Sequence, residues 1–327
     1  CHGELKVIAE VSERFVKLLW YVQKIEGCIR NVSTHACGYL ITAPNAITNY
    51  CPIQKESGSR DRIITQFEGK YLEDIGLMKF DFLGVANLSI IDNAVKLIKK
   101  DRGIDLDIYH LPEDDQKTFE LFRRADTTAI FQLESGGMKK YLKELEPQNL
   151  EEISAMLALY RPGPMQYIPA FINRKFGREE VKYLIPEIEE IMKVSYGLPI
   201  YQEQILQIAN KVAGYSLGQA DNLRRAIGKK LPEVMLAEEK NFKEGFLKNF
   251  PNYNEDIATK LWQYALPFAD YGFNKSHTAA YALISYQTAY LKANYPTEFE
   301  AALMLSDLDN LEKLVRDIVD AEARGIK

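Results

Sequence analysis

Met78-Lys79-Phe80-Asp81-Phe82-Leu83-Gly84 is an apolar run broken by one cation and one carboxylate. Side chains of a strand alternate between its faces, so Lys79, Asp81 and Leu83 share one face and Met78, Phe80 and Phe82 the other. The spacing predicts a strand anchored by Phe80 and Phe82, with Lys79 and Asp81 pointing into a cleft and Gly84 marking the exit. Carboxylate oxygens suit a hard ion such as Mg2+, and an ammonium beside them compensates phosphate charge. The same pair also fits a solvated edge strand, and one carboxylate does not make a two-metal site.

Outward from this run, Gly38 to Thr42 and Ile63 to Phe67 read as two further short strands, the first leaving through Ala43-Pro44-Asn45. Apolar residues at helical spacing predict helices over 5–26, 87–100, 148–160, 202–213, 231–246, 279–291, 298–305 and 308–323. From about residue 113, glycine and proline turns separate helices. The expected class is α+β: a small mixed region up to about residue 86, then a large, mainly α-helical region.

The 327 residues suffice for a substantial core. With 46% hydrophobic and 27% charged residues, the composition is that of an ordinary globular chain. No apolar stretch suggests a membrane span, and no secretory leader is recognisable. Cys1, Cys28, Cys37 and Cys51 form no CxxC pair, which favours reduced cysteines in a cytoplasmic protein over zinc ligation. A net charge of -5 argues against a uniformly basic coat but permits a local basic channel. Asp221-Asn-Leu-Arg-Arg-Ala-Ile-Gly-Lys-Lys230 concentrates Arg224, Arg225, Lys229 and Lys230; a solvated helix end remains the plain alternative.

Other runs carry potential chemistry. In Asn31-Val-Ser-Thr-His-Ala-Cys-Gly38, Ser33 and His35 precede the first strand and can hydrogen-bond a phosphate, a template or a neighbouring loop. No matched acid supports a serine–histidine catalytic pair. Asp105-Leu-Asp107 has metal-ligand spacing but reads as a solvated connection. Arg161-Pro-Gly-Pro164 sets a cation on a restricted turn, and Tyr201-Gln-Glu-Gln204 offers an aromatic platform for a base, or a packing residue, with amide donors at a helix start. Asn274, Lys275, Ser276 and His277 form a polar cluster before the helix at 279; capping that helix, they would aim amides, the ammonium and a hydroxyl at a phosphate.

Asn31 to Gly38, Lys79 to Gly84, Thr128-Ala-Ile-Phe-Gln-Leu-Glu-Ser135, Arg161 to Pro164, Tyr201 to Gln204, Leu223 to Lys230 and Tyr271 to His277 together resemble the bacterial replicative DNA polymerase III alpha subunits, the C-family polymerases. The resemblance covers essentially the whole chain, as an internal palm–fingers section. It implies that residues 1–30 end the thumb, 31–86 form the second part of a nucleotidyltransferase-like palm, and 87–327 form the fingers.

The reaction it implies is two-metal, template-directed addition of deoxynucleoside triphosphates to a primer 3'-hydroxyl, releasing pyrophosphate. Asp81 matches the third catalytic, metal-binding aspartate and Lys79 the active-site lysine, with Mg2+ as cofactor. His35, Arg161, Tyr201, Arg224, Arg225, Lys229, Lys230, Asn274, Lys275, Ser276 and His277 become candidates for contacts with the nucleotide or primer-template DNA. A sliding clamp and other replisome subunits are the further partners expected of the intact protein. The family's upstream aspartate pair does not occur in this sequence, so the chain alone is expected to be inactive. Two alternatives are a noncatalytic nucleotide or primer-template binding module and a metal-dependent phosphatase.

Overall fold

The computed structural model describes residues 13–28, 33–35, 37–42, 44–56, 61–229 and 232–326, with side chains at all of these except 227–229, 232–234 and 267–271. Expectations placed on residues 5–12, Asn31, Ala43 and Lys230 lie outside the described residues. The chain divides into two units, at Gly84 and Val85.

In the first unit a helix, Glu13–Ile25 (α1), precedes four short strands: Gly38–Ile41 (β1), Ile53–Lys55 (β2), Ile63–Thr65 (β3) and Met78–Asp81 (β4). β1 pairs antiparallel with β4, and β2 with β3, as two ribbons. The three strand segments read from sequence form; β2 is an addition. A small core of Cys51, Leu72 and Leu77, flanked by Leu40, Ile47 and Tyr50, holds the unit.

The expected anchor of β4 is wrong. Phe80 is 39% and Phe82 63% exposed, and they pack mainly on each other and on Tyr39, with Phe80–Phe82 and Tyr39–Phe82 centroids 6.5 and 5.6 Å apart. The register sets Leu40 opposite Lys79, so the face carrying Lys79 and Asp81 is the one that reaches the small core. Alternation fixes which residues share a face; it does not say which face is covered.

The second unit is helical: Ala86–Arg102 (α2), Gln116–Arg123 (α3), Gly136–Leu145 (α4), Leu150–Leu159 (α5), Ile168–Lys175 (α6), Gln202–Ala213 (α7), Leu217–Lys229 (α8), Pro232–Asn249 (α9), Glu255–Tyr271 (α10), Lys275–Asn294 (α11), Pro296–Ser306 (α12) and Leu311–Ala323 (α13). Two cores organise it. One gathers α2 to α6 with α11 and α12 around Ile98, Phe122, Leu142, Phe171, Leu291 and Phe299, all fully buried. The other gathers α7 to α10: Ile205, Ile208, Ala209 and Val212 fall at i, i+3, i+4 and i+7 on α7, the stripe a helix buries. α9 crosses α7 at Gly245, where a β-carbon would stand 2.2 Å from the Ala213 carbonyl oxygen.

α11 is the central strut. Ser285 and Thr288 are fully buried in it, and Ser285 Oγ donates to the Phe131 carbonyl at 2.8 Å. That bond, with Lys292 Nζ donating to the Thr128 carbonyl at 2.7 Å, pins the loop in which Ala125, Ala129 and Gln132 adopt positive φ. The Thr128–Ser135 motif is therefore held against α11 as structure. The fold is α+β as expected, with the helical part dominant.

Candidate functional site

On the β1–β4 ribbon, Gly38 lies directly opposite Asp81 and Leu40 opposite Lys79, which puts all four on one face. Lys79 Nζ stands 3.2 Å from Asp81 Oδ1, and His35 Nδ1 approaches the same oxygen at 3.5 Å. The three groups converge above Gly38, whose β-carbon would lie 2.8 Å from His35 Nδ1, 2.9 Å from Lys79 Cε and 3.3 Å from Asp81 Oδ1. Beside them opens a cleft of about 790 Å3, lined among others by Ser33, His35, Gly38, Arg62, Gln66 and Lys79. The Asp81 side chain is 45% exposed, and so open a pair is worth at most about 1 kcal/mol. A cation or phosphate entering the cleft can separate it.

Asp81 provides one hard oxygen donor with open access, which fits a contribution to a Mg2+ site. It does not amount to a site: among the described residues no three His, Cys, Asp or Glu side chains gather to hold a metal ion. Asp105 and Asp107 lie in the connection after α2, engaged by Lys99 at 2.9 Å and His110 at 2.7 Å, as their reading as a solvated connection requires.

The second constellation lies in the helical unit, where the sequence placed its polar runs. A parallel bridge joins Tyr201 to Phe273: Gln202 N donates to the Phe273 carbonyl and Phe273 N to the Ile200 carbonyl, both at 2.9 Å. The bridge sets the N-termini of α7 and α11 side by side. Asn274 caps α11, its Oδ1 accepting from His277 N at 2.8 Å, so the helix starts four residues before the expected 279. Both Glu203 carboxylate oxygens accept from Lys275 N at 2.9 Å. The amide expected to meet a phosphate is thus satisfied by a carboxylate, the charge a helix N-terminus attracts.

Around this bridge stand the cations. Lys275 Nζ lies 3.2 Å from Glu151 Oε2. The Arg161 guanidinium lies 4.4 Å from the centre of the Phe273 ring and donates from Nε to the Ala158 carbonyl at 2.8 Å; burial lowers its pKa from the usual value. Arg224 reaches Gln202 Oε1 at 3.5 Å and shares Asp221 with Arg225, each at 2.9 Å. The Arg224 hydrogen bond, with help from Arg225, lowers the Asp221 carboxyl. Ser276 and His277 are exposed, with the His277 ring 4.0 Å from that of Tyr281. The Lys229 side chain and all of Lys230 lie outside the described residues.

Tyr201 is a correction to the expected platform. Its side chain is fully buried, with the hydroxyl 3.3 Å from Ser154 Oγ, which donates in turn to Thr278 Oγ1 at 3.0 Å. Burial raises the phenol's pKa. The ring offers no face to a base; it locks the first turn of α11 to α5. Gln204 is likewise internal, accepting from Tyr201 N at 2.9 Å and donating to Ser195 Oγ at 2.7 Å.

Both units find the same relatives. The profile of the bacterial DNA polymerase III alpha NTPase domain matches residues 2–84, and that of the bacterial DNA polymerase III alpha subunit finger domain matches residues 87–250. The chain belongs to the bacterial DNA polymerase III alpha subunit family. It is 44% identical to the DNA polymerase III subunit alpha of Thermus aquaticus over 99% of its own length and 26% of that protein. To that of Escherichia coli K12 it is 44% identical over 99% of this chain and 28% of the relative, and to that of Caulobacter vibrioides 48% over 93% and 26%. The chain therefore spans about a quarter of the length of the curated relatives it matches.

Within this alpha-subunit segment, the ribbon brings His35, Lys79 and Asp81 together, and the helical unit gathers Arg161, Arg224, Arg225 and Asn274 to His277 around one bridge. Sequence reasoning missed three groups. Gly38 opens its strand, where a glycine passes for an ordinary strand end, so the close approach over it showed only in the fold. Glu203 was visible inside a quoted motif, but its partner lies 72 positions along the chain. Asp221 stands three and four positions before Arg224 and Arg225, the helical spacing that brings such pairs together, so its hold on both was legible and went unread.

Proposed function

We propose that this chain forms one wall of a DNA polymerase active site, and that the intact alpha subunit carries out template-directed addition of deoxynucleoside triphosphates to a primer 3'-hydroxyl with release of pyrophosphate. The observation that carries the reading is the convergence of Lys79, Asp81 and His35 over Gly38 beside an open cleft, within the segment that matches the family's NTPase-domain profile. In this reading residues 1–30 end the thumb, 31–86 complete a nucleotidyltransferase-like palm and 87–327 are fingers.

Asp81 supplies one carboxylate ligand, and Lys79 balances charge at the reacting phosphates. A divalent metal, Mg2+ in this reading, supplies Lewis-acid activation when bound. Arg161, Arg224, Arg225, Lys229, Lys230, Asn274, Lys275, Ser276 and His277 meet the triphosphate, primer or template; His35 stays with the ribbon site. Tyr201 serves by holding α11 in place. The intact protein's further partners are the sliding clamp and other replisome subunits.

One carboxylate cannot organise this transfer, so these 327 residues alone give no primer extension with Mg2+ and all four deoxynucleotides. In a full-length alpha subunit carrying this segment, Asp81→Asn lowers extension by about a hundredfold or more, the scale of losing one preorganised charge at a reacting centre. Robust extension by the chain alone defeats the inactivity claim; an active Asp81→Asn enzyme defeats the site.

A second reading, a noncatalytic primer-template binding module, is favoured by the helical unit's cation cluster, which uses no residue of the ribbon. Its measurement is DNA affinity against salt concentration, where phosphate contacts give a linear log–log dependence. No binding at low salt excludes it.

A further inference from the structure

We infer that Gly38 is a positioning residue of the Lys79–Asp81 site: the absence of its side chain lets His35, Lys79 and Asp81 occupy one small volume. The inference rests on the polymerase reading and deepens it. Backbone conformation does not demand glycine here, since Gly38 lies in β1 and is not among the glycines at positive φ. Stability does not demand it either, because a glycine adds no side-chain packing to the strand it opens. Space does. A β-carbon would meet His35 Nδ1 at 2.8 Å, Lys79 Cε at 2.9 Å and Asp81 Oδ1 at 3.3 Å. At Gly69 and Gly84, in the same unit, the same β-carbon would meet nothing within 4 Å.

All three obstructing atoms belong to side chains, and the Lys79 stem and the half-exposed Asp81 carboxylate can swing into the cleft. A methyl group at position 38 therefore leaves the ribbon intact and takes away the arrangement. Lys79 has to leave Asp81, or His35 has to leave both. Because Gly38 faces Asp81 directly across the ribbon, no rotation of the new side chain avoids the clash.

The test uses a full-length alpha subunit carrying this segment, with Gly38→Ala, Gly38→Ala/His35→Ala and Asp81→Asn. Gly38→Ala is expected to keep the wild-type melting temperature and DNA affinity while kcat falls about tenfold to a hundredfold, the cost of roughly an ångström of misplacement at a reacting centre. KM for the nucleotide should move less. A crystal structure of the variant should show Lys79 Nζ or His35 Nδ1 farther from Asp81 Oδ1 than the 3.2 and 3.5 Å they keep here. Removing the nearest obstruction, in Gly38→Ala/His35→Ala, should recover part of the lost kcat, which a general loss of ribbon stability would not allow. Wild-type kcat in Gly38→Ala, or a loss that tracks a lowered melting temperature and is not relieved in the double variant, overturns the inference. If Asp81→Asn stays active, the polymerase reading fails by itself. The crystal structure then decides on Gly38, and an undisturbed His35–Lys79–Asp81 cluster overturns its role.

Discussion

Glu300 of α12 should make the protein lose stability as pH rises toward neutrality. Its side chain is 1% exposed, and neither carboxylate oxygen has a hydrogen-bond partner. Lys292 Nζ stands 3.8 Å away, already committed to the Thr128 carbonyl and to Asp320 at 2.7 and 2.8 Å. Burial raises the Glu300 carboxyl from 4.5 to about 7; Lys292 and Arg324 oppose the rise, and Asp320 and Asp317 add to it. The folded state thus holds a proton that the unfolded chain releases near its ordinary value. Stability is full below about pH 4.5, declines as pH rises through about 7, and is level above. At about 1.4 kcal/mol for each tenfold in proton affinity, the whole loss is about 3 kcal/mol; part of it falls below pH 5, which leaves about 2 kcal/mol between pH 5 and 8. Urea denaturation of wild type and Glu300→Gln at pH 5, 6, 7 and 8 measures it. The difference between the two should move by about 2 kcal/mol in favour of the variant across that range. Curves that run parallel would refute the reasoning, and a shift the other way would mean that Lys292 stabilises the ionised carboxylate.

Gly245→Ala forces a methyl group toward the Ala213 carbonyl oxygen, 2.2 Å from its ideal position, and should lower stability by about 1–3 kcal/mol or more in denaturant melts; an unchanged midpoint refutes the tight crossing. Lys175→Met removes the ammonium that donates to Leu145 O, Glu146 O and Glu152 Oε2 at 2.8–2.9 Å. It leaves Glu152 buried without its cation, a loss of about 3 kcal/mol, and melts equal to wild type would count against it. Asp221→Asn releases Arg224 and Arg225 from their shared partner. If the helical unit meets DNA, affinity should rise and the log–log salt slope steepen by about one; fluorescence anisotropy showing no change removes both arginines from the interface.

Local patterning reached much of this molecule. The strands at Gly38, Ile63 and Met78 and the helices over 87–100, 148–160 and 202–213 sit where the spacing of apolar residues puts them, because that spacing is set within each segment. The helices Gln116–Arg123 and Ile168–Lys175 have eight residues each, and a helix of so few turns leaves little periodicity to read. β2 has three residues and exists through its pairing with β3, a tertiary fact. The site divides in the same way. Lys79 and Asp81 share a face by geometry alone, whereas Glu203 meets Lys275, and Tyr201 meets Ser154, only after distant segments fold together.

The pairing of the cations also resolves an apparent conflict between a net charge of -5 and a proposed role in holding phosphates. Lys79 sits on Asp81, Lys275 on Glu151, and Arg224 and Arg225 on Asp221. Each carboxylate fixes its cation's direction before any ligand arrives, reducing the side-chain entropy lost on binding. With side chains 28–65% exposed across these pairs, water screens each of them and each holds only weakly. A phosphate, which offers several charge-assisted hydrogen bonds, exceeds that and displaces the carboxylate. The acids then repel the phosphates they yield to, so binding depends on how many cations are engaged at once. In this reading, a chain of negative net charge holds phosphates only where its paired cations converge, and leaves polyanions elsewhere on its surface unbound.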